Sequence, residues 1–107
     1  MSLVNSEDVK LLTLAQAALK RNAHEQCAAL RDSTGRTHVG SSVALTSLQL
    51  DALQVALAMA LSSGADAIEA AVVVGREPHS QAVANIREVS TRALIWFAST
   101  DGSVTPL

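Results

Sequence analysis

At 107 residues, 49% of them apolar, the chain fits one domain spanning 1–107 around one hydrophobic core. Eight Lys and Arg against ten Asp and Glu leave a net charge of −2, and one Trp, one Phe and no Tyr give few rings for stacking bases, which argues against a nucleic-acid partner. The single cysteine, Cys27, rules out an internal disulfide and a cysteine-rich metal site, and it fits a reducing, cytoplasmic setting.

The N-terminus shows no basic segment followed by an apolar run and a small-residue cleavage site, so no secretion signal is expected, and Met1-Ser2-Leu3 is compatible with an expression scar. From Ser6, the acidic pair Glu7 and Asp8 suits a first helical turn, and Val9, Leu12, Ala15 and Leu19 follow at helical spacing to about Arg21. Cys27-Ala28-Ala29-Leu30, the turn residues Asp32-Ser33-Thr34-Gly35, and Arg36 to Gly40 make a β-hairpin. Thr46-Ser47 offers a capping hydroxyl to a helix from Leu48 to Ser63, apolar on nearly every side and therefore central, that stops at Gly64. This run falls short of the roughly 20 residues a membrane span needs, and Asp51 and Gln54 interrupt it.

Glu69 to Val74 is rich in valine and bounded by Gly75, the pattern of a mid-sheet strand covered on both faces. Pro78 precedes a helix from Ser80 to about Glu88, with Val83, Ile86 and Val89 as its apolar stripe and Gln81, Asn85 and Arg87 opposite. A last strand, Ala93 to Ala98, carries Trp96 and Phe97 on opposite sides, and Asp101-Gly102 turns the chain into an edge segment ending at Leu107. This alternation predicts an α/β fold: a three-layer α/β/α sandwich with a mixed sheet of about five strands.

Taken in order, these segments resemble the cytidine deaminase family over nearly the whole chain. The stretch Ala28 to Arg36 resembles that family's alanine-alanine-leucine hairpin, and Asp51 to Gly64 resembles its cysteine-alanine-glutamate helix. Ala71-Val72-Val73-Val74 follows as in the family, Pro78 falls where its proline-cysteine-x-x-cysteine motif begins, and Trp96-Phe97 through Asp101-Gly102 resembles the terminal strand pair.

The resemblance implies zinc held by one His or Cys and two later Cys, with a glutamate moving protons between the bound water and the base. Those positions fall on Asp51 for the first ligand, Leu53 for the glutamate, and His79 and Ala82 for the two cysteines. Alanine cannot bind a metal, two ligands fall short of three, and leucine cannot carry a proton. Gln54 is no substitute: an amide does not cycle a proton at neutral pH, and helical geometry turns it about 100° from position 53. The asparagine and glutamate that hold ribose in the family are replaced by Ser41-Ser42-Val43-Ala44-Leu45, and its aromatic approach to the first strand by Ala23-His24-Glu25-Gln26.

Each candidate side chain also has an ordinary reading. His79 is a surviving ligand or a solvated helix-end residue, and Asp51 is a ligand or a charge complementing a helix N-terminus. Cys27 beside His24 and Glu25 suggests a nucleophile pair, but a thiol at the apolar start of a strand is inert. His38 has no second feature pointing to it. The expectation is a zinc-free, catalytically inactive deaminase-like homo-oligomer, a dimer or tetramer by resemblance, without cofactor or membrane partner, and with a protein partner or nucleoside as its ligand. The alternative is a divergent zinc-dependent nucleoside deaminase that draws on Asp51, His79 and a ligand from elsewhere or from a neighbouring subunit. Between them stands nucleoside binding without turnover.

Overall fold

Helix α1 (Ser6–Asn22) starts where the Asn5 side chain accepts the Glu7 N–H at 2.8 Å, and its acidic first turn and basic last turn both match the helix dipole. The computed structural model describes residues 3, 5–22 and 25–107. The inward stripe of α1 is Asp8, Leu11, Ala15 and Ala18, so Val9 of the expected stripe lies exposed and Leu12 and Leu19 are half-buried. The rotation has a polar cause. Asp8 turns inward to meet Arg31, with Asp8 Oδ1 accepting from Arg31 Nη2 at 3.0 Å.

Strands β1 (Cys27–Asp32) and β2 (Thr37–Ser41) form the expected hairpin. All of β1 is buried, including Arg31 and Asp32. Asp32 closes the turn: Oδ1 accepts from Thr34 N, Thr34 Oγ1 and Arg36 N, while Oδ2 lies 3.0 Å from His38 Nε2. The Thr34 hydroxyl and His38 hold this carboxyl well below the usual carboxylate range, against the opposing effect of burial. A carboxylate whose folded pKa is depressed contributes stability above its unfolded value of about 4, and this is lost as pH falls below that value. Asp32→Asn is therefore expected to cost about 2 kcal/mol near pH 7 and to flatten the fall in stability below about pH 4, read from urea titrations across pH.

The next segment departs from expectation. Helix α2 covers Ala52–Ser62, not Leu48 to Ser63, because β3 (Val43–Ala44) and β4 (Gln49–Leu50) pair as a small antiparallel hairpin and take up its first residues. The cap is Asp51 rather than Thr46 or Ser47, since a capping box is available there: Asp51 accepts from Leu53 N at 2.9 Å and Gln54 Oε1 accepts from Asp51 N at 3.0 Å. Its apolar sequence does not make α2 enclosed on all sides. Ala52, Leu53, Ala56, Leu57 and Ala60 are buried, whereas Met59 and Leu61 are exposed. Its alanines let it lie tight on β2: a Cβ added at Gly40 would come within 2.7 Å of Ala56 N.

Strand β5 (Ile68–Val74), helix α3 (Ser80–Val89), strand β6 (Leu94–Ala98) and strand β7 (Val104–Pro106) complete the chain. The five-stranded sheet runs β2-β1-β5-β6-β7, with β5 central as expected. Only β5 and β6 are parallel, joined through α3; the β1–β2, β1–β5 and β6–β7 pairs are antiparallel. On one face α1 packs on Cys27, Ala29, Ala70, Val72 and Val74, with Trp96 against this layer. On the other, α2 and α3 pack on Ala28, Leu30, Ala71, Val73 and Ile95, with Phe97 against them. The three-layer mixed α/β sandwich is thus as the sequence predicts. Among the described residues no helix is long and apolar enough to cross a membrane.

Candidate functional site

Strand β5 is followed by Gly75, whose φ of +94° suits glycine, and a Cβ there would lie 2.2 Å from Glu25 O. The chain leaving β5 therefore passes hard against the chain entering β1. This contact places Arg76 over Gln26 and beside Glu25, with Arg76 Nη1 donating to Glu25 Oε2 at 2.8 Å. Next to it opens a pocket of about 290 Å³, walled by Ser42, Val43 and Ala44, by Gln49 and Leu50, by Asp51 and Gln54 of the α2 start, and by His79 before α3.

The polar wall of this pocket is one connected network. Asp51 is buried; its Oδ1 accepts from Leu53 N at 2.9 Å, and its Oδ2 accepts from His79 N at 2.9 Å and from Gln26 Nε2 at 3.3 Å. Gln26, with no exposed surface, also donates from Nε2 to Arg76 O at 3.0 Å and accepts the Ala52 N–H on Oε1 at 2.8 Å. Gln54 Nε2 donates to Asn85 Oδ1 at 2.9 Å, which ties α2 to the body of α3. Buried polar groups are stable only when so paired.

Asp51 and His79 do come together, but through the histidine's backbone N–H, while its exposed ring lies on the pocket wall. Leu53 and Ala82 have no exposed surface and belong to the core between the sheet and α2 and α3; neither lines the pocket. The positions that resemblance assigns to a metal thus carry a carboxylate accepting three hydrogen bonds, an exposed imidazole and two hydrocarbon side chains. This donor set does not fit a catalytic zinc, which takes three protein ligands. Among the described residues no three His, Cys, Asp or Glu side chains gather into a group that could hold a metal ion.

Cys27 is buried with Sγ 3.2 Å from Ser41 Oγ, Glu25 is engaged with Arg76, and His24 lies outside the described residues. His38 is bound to Asp32 on the far end of the hairpin. The network members that sequence reasoning passed over are Gln26, Gln54 in its bonding role, and Arg76. The spacing Asp51-x-x-Gln54 is a capping-box signature that pointed to the second. No local pattern marks Gln26 or Arg76, since their partners are 25 and 50 residues away in the chain.

The family model described as "Cytidine deaminase-like" matches residues 4–102. No curated protein matches. Among solved structures, the chain is similar to a cytidine deaminase from Burkholderia pseudomallei at 22% identity and a TM-score of 0.80, over 92% of this chain and 90% of that one. It is also similar to the cytidine deaminase from Mycobacterium leprae (17% identity, TM-score 0.72, 97% of this chain and 94% of that one). A third is that from Bacillus anthracis (14% identity, TM-score 0.72, 96% and 84%). At these identities the likeness is one of fold.

Proposed function

The chain belongs to the cytidine deaminase-like family, and from that premise we propose that it is a zinc-free deaminase scaffold that does not deaminate and acts as a structural, regulatory or ligand-binding homo-oligomer. One observation carries this reading: the carboxylate at the first ligand position is taken up by Leu53 N, His79 N and Gln26 Nε2, and the side chain at the proton-carrier position, Leu53, is packed in the core. A hydrolytic deamination needs an activated water and a group that moves its proton, and neither Leu53 nor Ala82 supplies one. Assembly is supported by the large apolar side chains left exposed, Leu45, Leu48, Met59, Leu61 and Leu94, which a second copy would cover. The buried lone thiol of Cys27 suits the reducing cytoplasm.

Retained ligand binding without turnover is supported by the pocket itself. At about 290 Å³ it sits at the lower end of the size range of small-molecule sites, and Ser42, Gln49, Gln54 and Arg76 offer hydrogen bonds. The experiment that tests the main reading combines zinc content of the purified chain, uridine formation from cytidine, and thermal shift with pyrimidine nucleosides. The expected outcome is no stoichiometric zinc and no uridine above the uncatalysed rate. A midpoint that rises with nucleoside supports the ligand-binding form, because only binding to the folded state stabilises. Stoichiometric zinc together with uridine production overturns the proposal in favour of a divergent deaminase.

A further inference from the structure

We propose that Asp51 and Gln26 form a metal-independent clasp that holds the starts of α2 and α3 to the entry of β1, replacing by hydrogen bonds the cross-link that a bound cation would make at this place. A metal site joins separate pieces of chain through a few side-chain donors, and its binding free energy is folding free energy. Here the pieces to be joined are the same, but the joining atoms are different. Asp51 Oδ1 caps its own helix through Leu53 N, and Asp51 Oδ2 reaches across to His79 N, the residue that caps α3. The His79 side chain makes no capping bond, so the carboxylate of one helix cap supports the start of the other helix. Gln26 then fixes both to the sheet, bonding Asp51 Oδ2 on one side, the Ala52 N–H on another, and Arg76 O at the exit of β5.

The carboxylate caps α2 and accepts the N–H of the α3 cap residue, so it lies beside two helix N-termini, whose field offsets the cost of burying its charge. The placement also explains why aspartate works here. It is short enough to cap α2 with one oxygen and still present the other to α3, whereas the neutral partner Gln26 supplies a donor without adding a second charge to desolvate. The Gly75 contact with Glu25 O holds Arg76 O over Gln26, so the clasp is assembled by backbone packing as well as by side chains. The clasp deepens the zinc-free reading and rests on it, since a cation on Asp51 Oδ2 would need the lone pairs that Gln26 Nε2 and His79 N use.

The test is native-state hydrogen exchange on the wild-type chain, before and after dialysis against a chelator, and on Asp51→Asn. Asparagine is as good a cap as aspartate, so the Leu53 amide keeps its acceptor, but its amide NH₂ would face the donors Gln26 Nε2 and His79 N. The expected result is wild-type protection at His79 that chelation does not change. In Asp51→Asn, exchange at His79 rises roughly tenfold to a hundredfold while Leu53 changes far less. Equal effects at both amides would reduce Asp51 to an ordinary cap and overturn the clasp. So would loss of His79 protection on chelation, or its absence from the wild-type chain, which is readable even if the variant does not fold. Uridine formation with His79 protection intact would instead overturn the functional reading and leave the clasp standing.

Discussion

Leu53→Glu, the substitution that would put a carboxylate back at the family's proton-carrier position, is expected to unfold the domain rather than activate it. Leu53 has no exposed surface and packs among Leu30, Ala56, Ile86 and Ile95 in the layer under α2 and α3. Removing a buried leucine side chain costs about 2–5 kcal/mol, and an unpaired carboxylate in the space it leaves adds several more unless the group stays protonated. Small domains hold only about 5–15 kcal/mol in reserve, so the variant is expected to lose its cooperative urea transition at 25 °C. Leu53→Met, which conserves volume, should cost less than about 1.5 kcal/mol and shows that the loss comes from charge and shape rather than from the position being intolerant. A Leu53→Glu chain that unfolds at the wild-type urea concentration would contradict the placement of residue 53 in the core.

Arg31→Met should be the other severe substitution, at about 3–5 kcal/mol, because it leaves Asp8 buried without its cation. Arg31 Nη2 bonds Asp8 Oδ1 at 3.0 Å with side chains 7% and 4% exposed, while the second partner, Glu69, is 55% exposed and keeps contact with water. Burial opposes the charge on Arg31, but the two carboxylates outweigh it and raise the guanidinium pKa further. The pair is not ideal, since Arg31 Nη1 is buried without a hydrogen-bond partner among the described residues. Replacing both members, Arg31→Met with Asp8→Leu, is therefore expected to recover most of the loss, as buried ion pairs exchanged for apolar residues often prove neutral. Urea midpoints of the two single variants and the double variant give the coupling, and additive losses would show that Arg31 acts through its packed stem instead.

Much of the architecture could be read from periodicity. Ala71-Val72-Val73-Val74 announced a covered strand, and its alternating faces do pack on α1 and on the α2 and α3 layer. The hairpin, the crossover and the terminal strand pair followed from turn residues and order. What misled was charge turned inward. Asp8 swings α1 by about one position because it has Arg31 to meet, and Asp51 makes α2 begin four residues after the expected Leu48 because it has Gln26 and His79 N to bind. A hydroxyl such as Thr46 was an equally good cap on local grounds, and only the tertiary partners decide between them. The alanine at position 82 and the leucine at position 53 were plain in the sequence, but the bonds that Asp51 makes were not, because two of its three donors come from other parts of the chain.

The sheet divides the chain into two contiguous halves, since β1 and β2 lie to one side of the β1–β5 border and β6 and β7 to the other. Hairpin and crossover can form between sequence neighbours, but the border between β1 and β5 can close only by looping out the whole of α2 and the β3–β4 hairpin, which makes it the entropically dearest pairing in the molecule. Asp51 and Gln26 belong to the first half and His79 and Arg76 to the second, so their bonds bridge that late-closing border and resist its reopening.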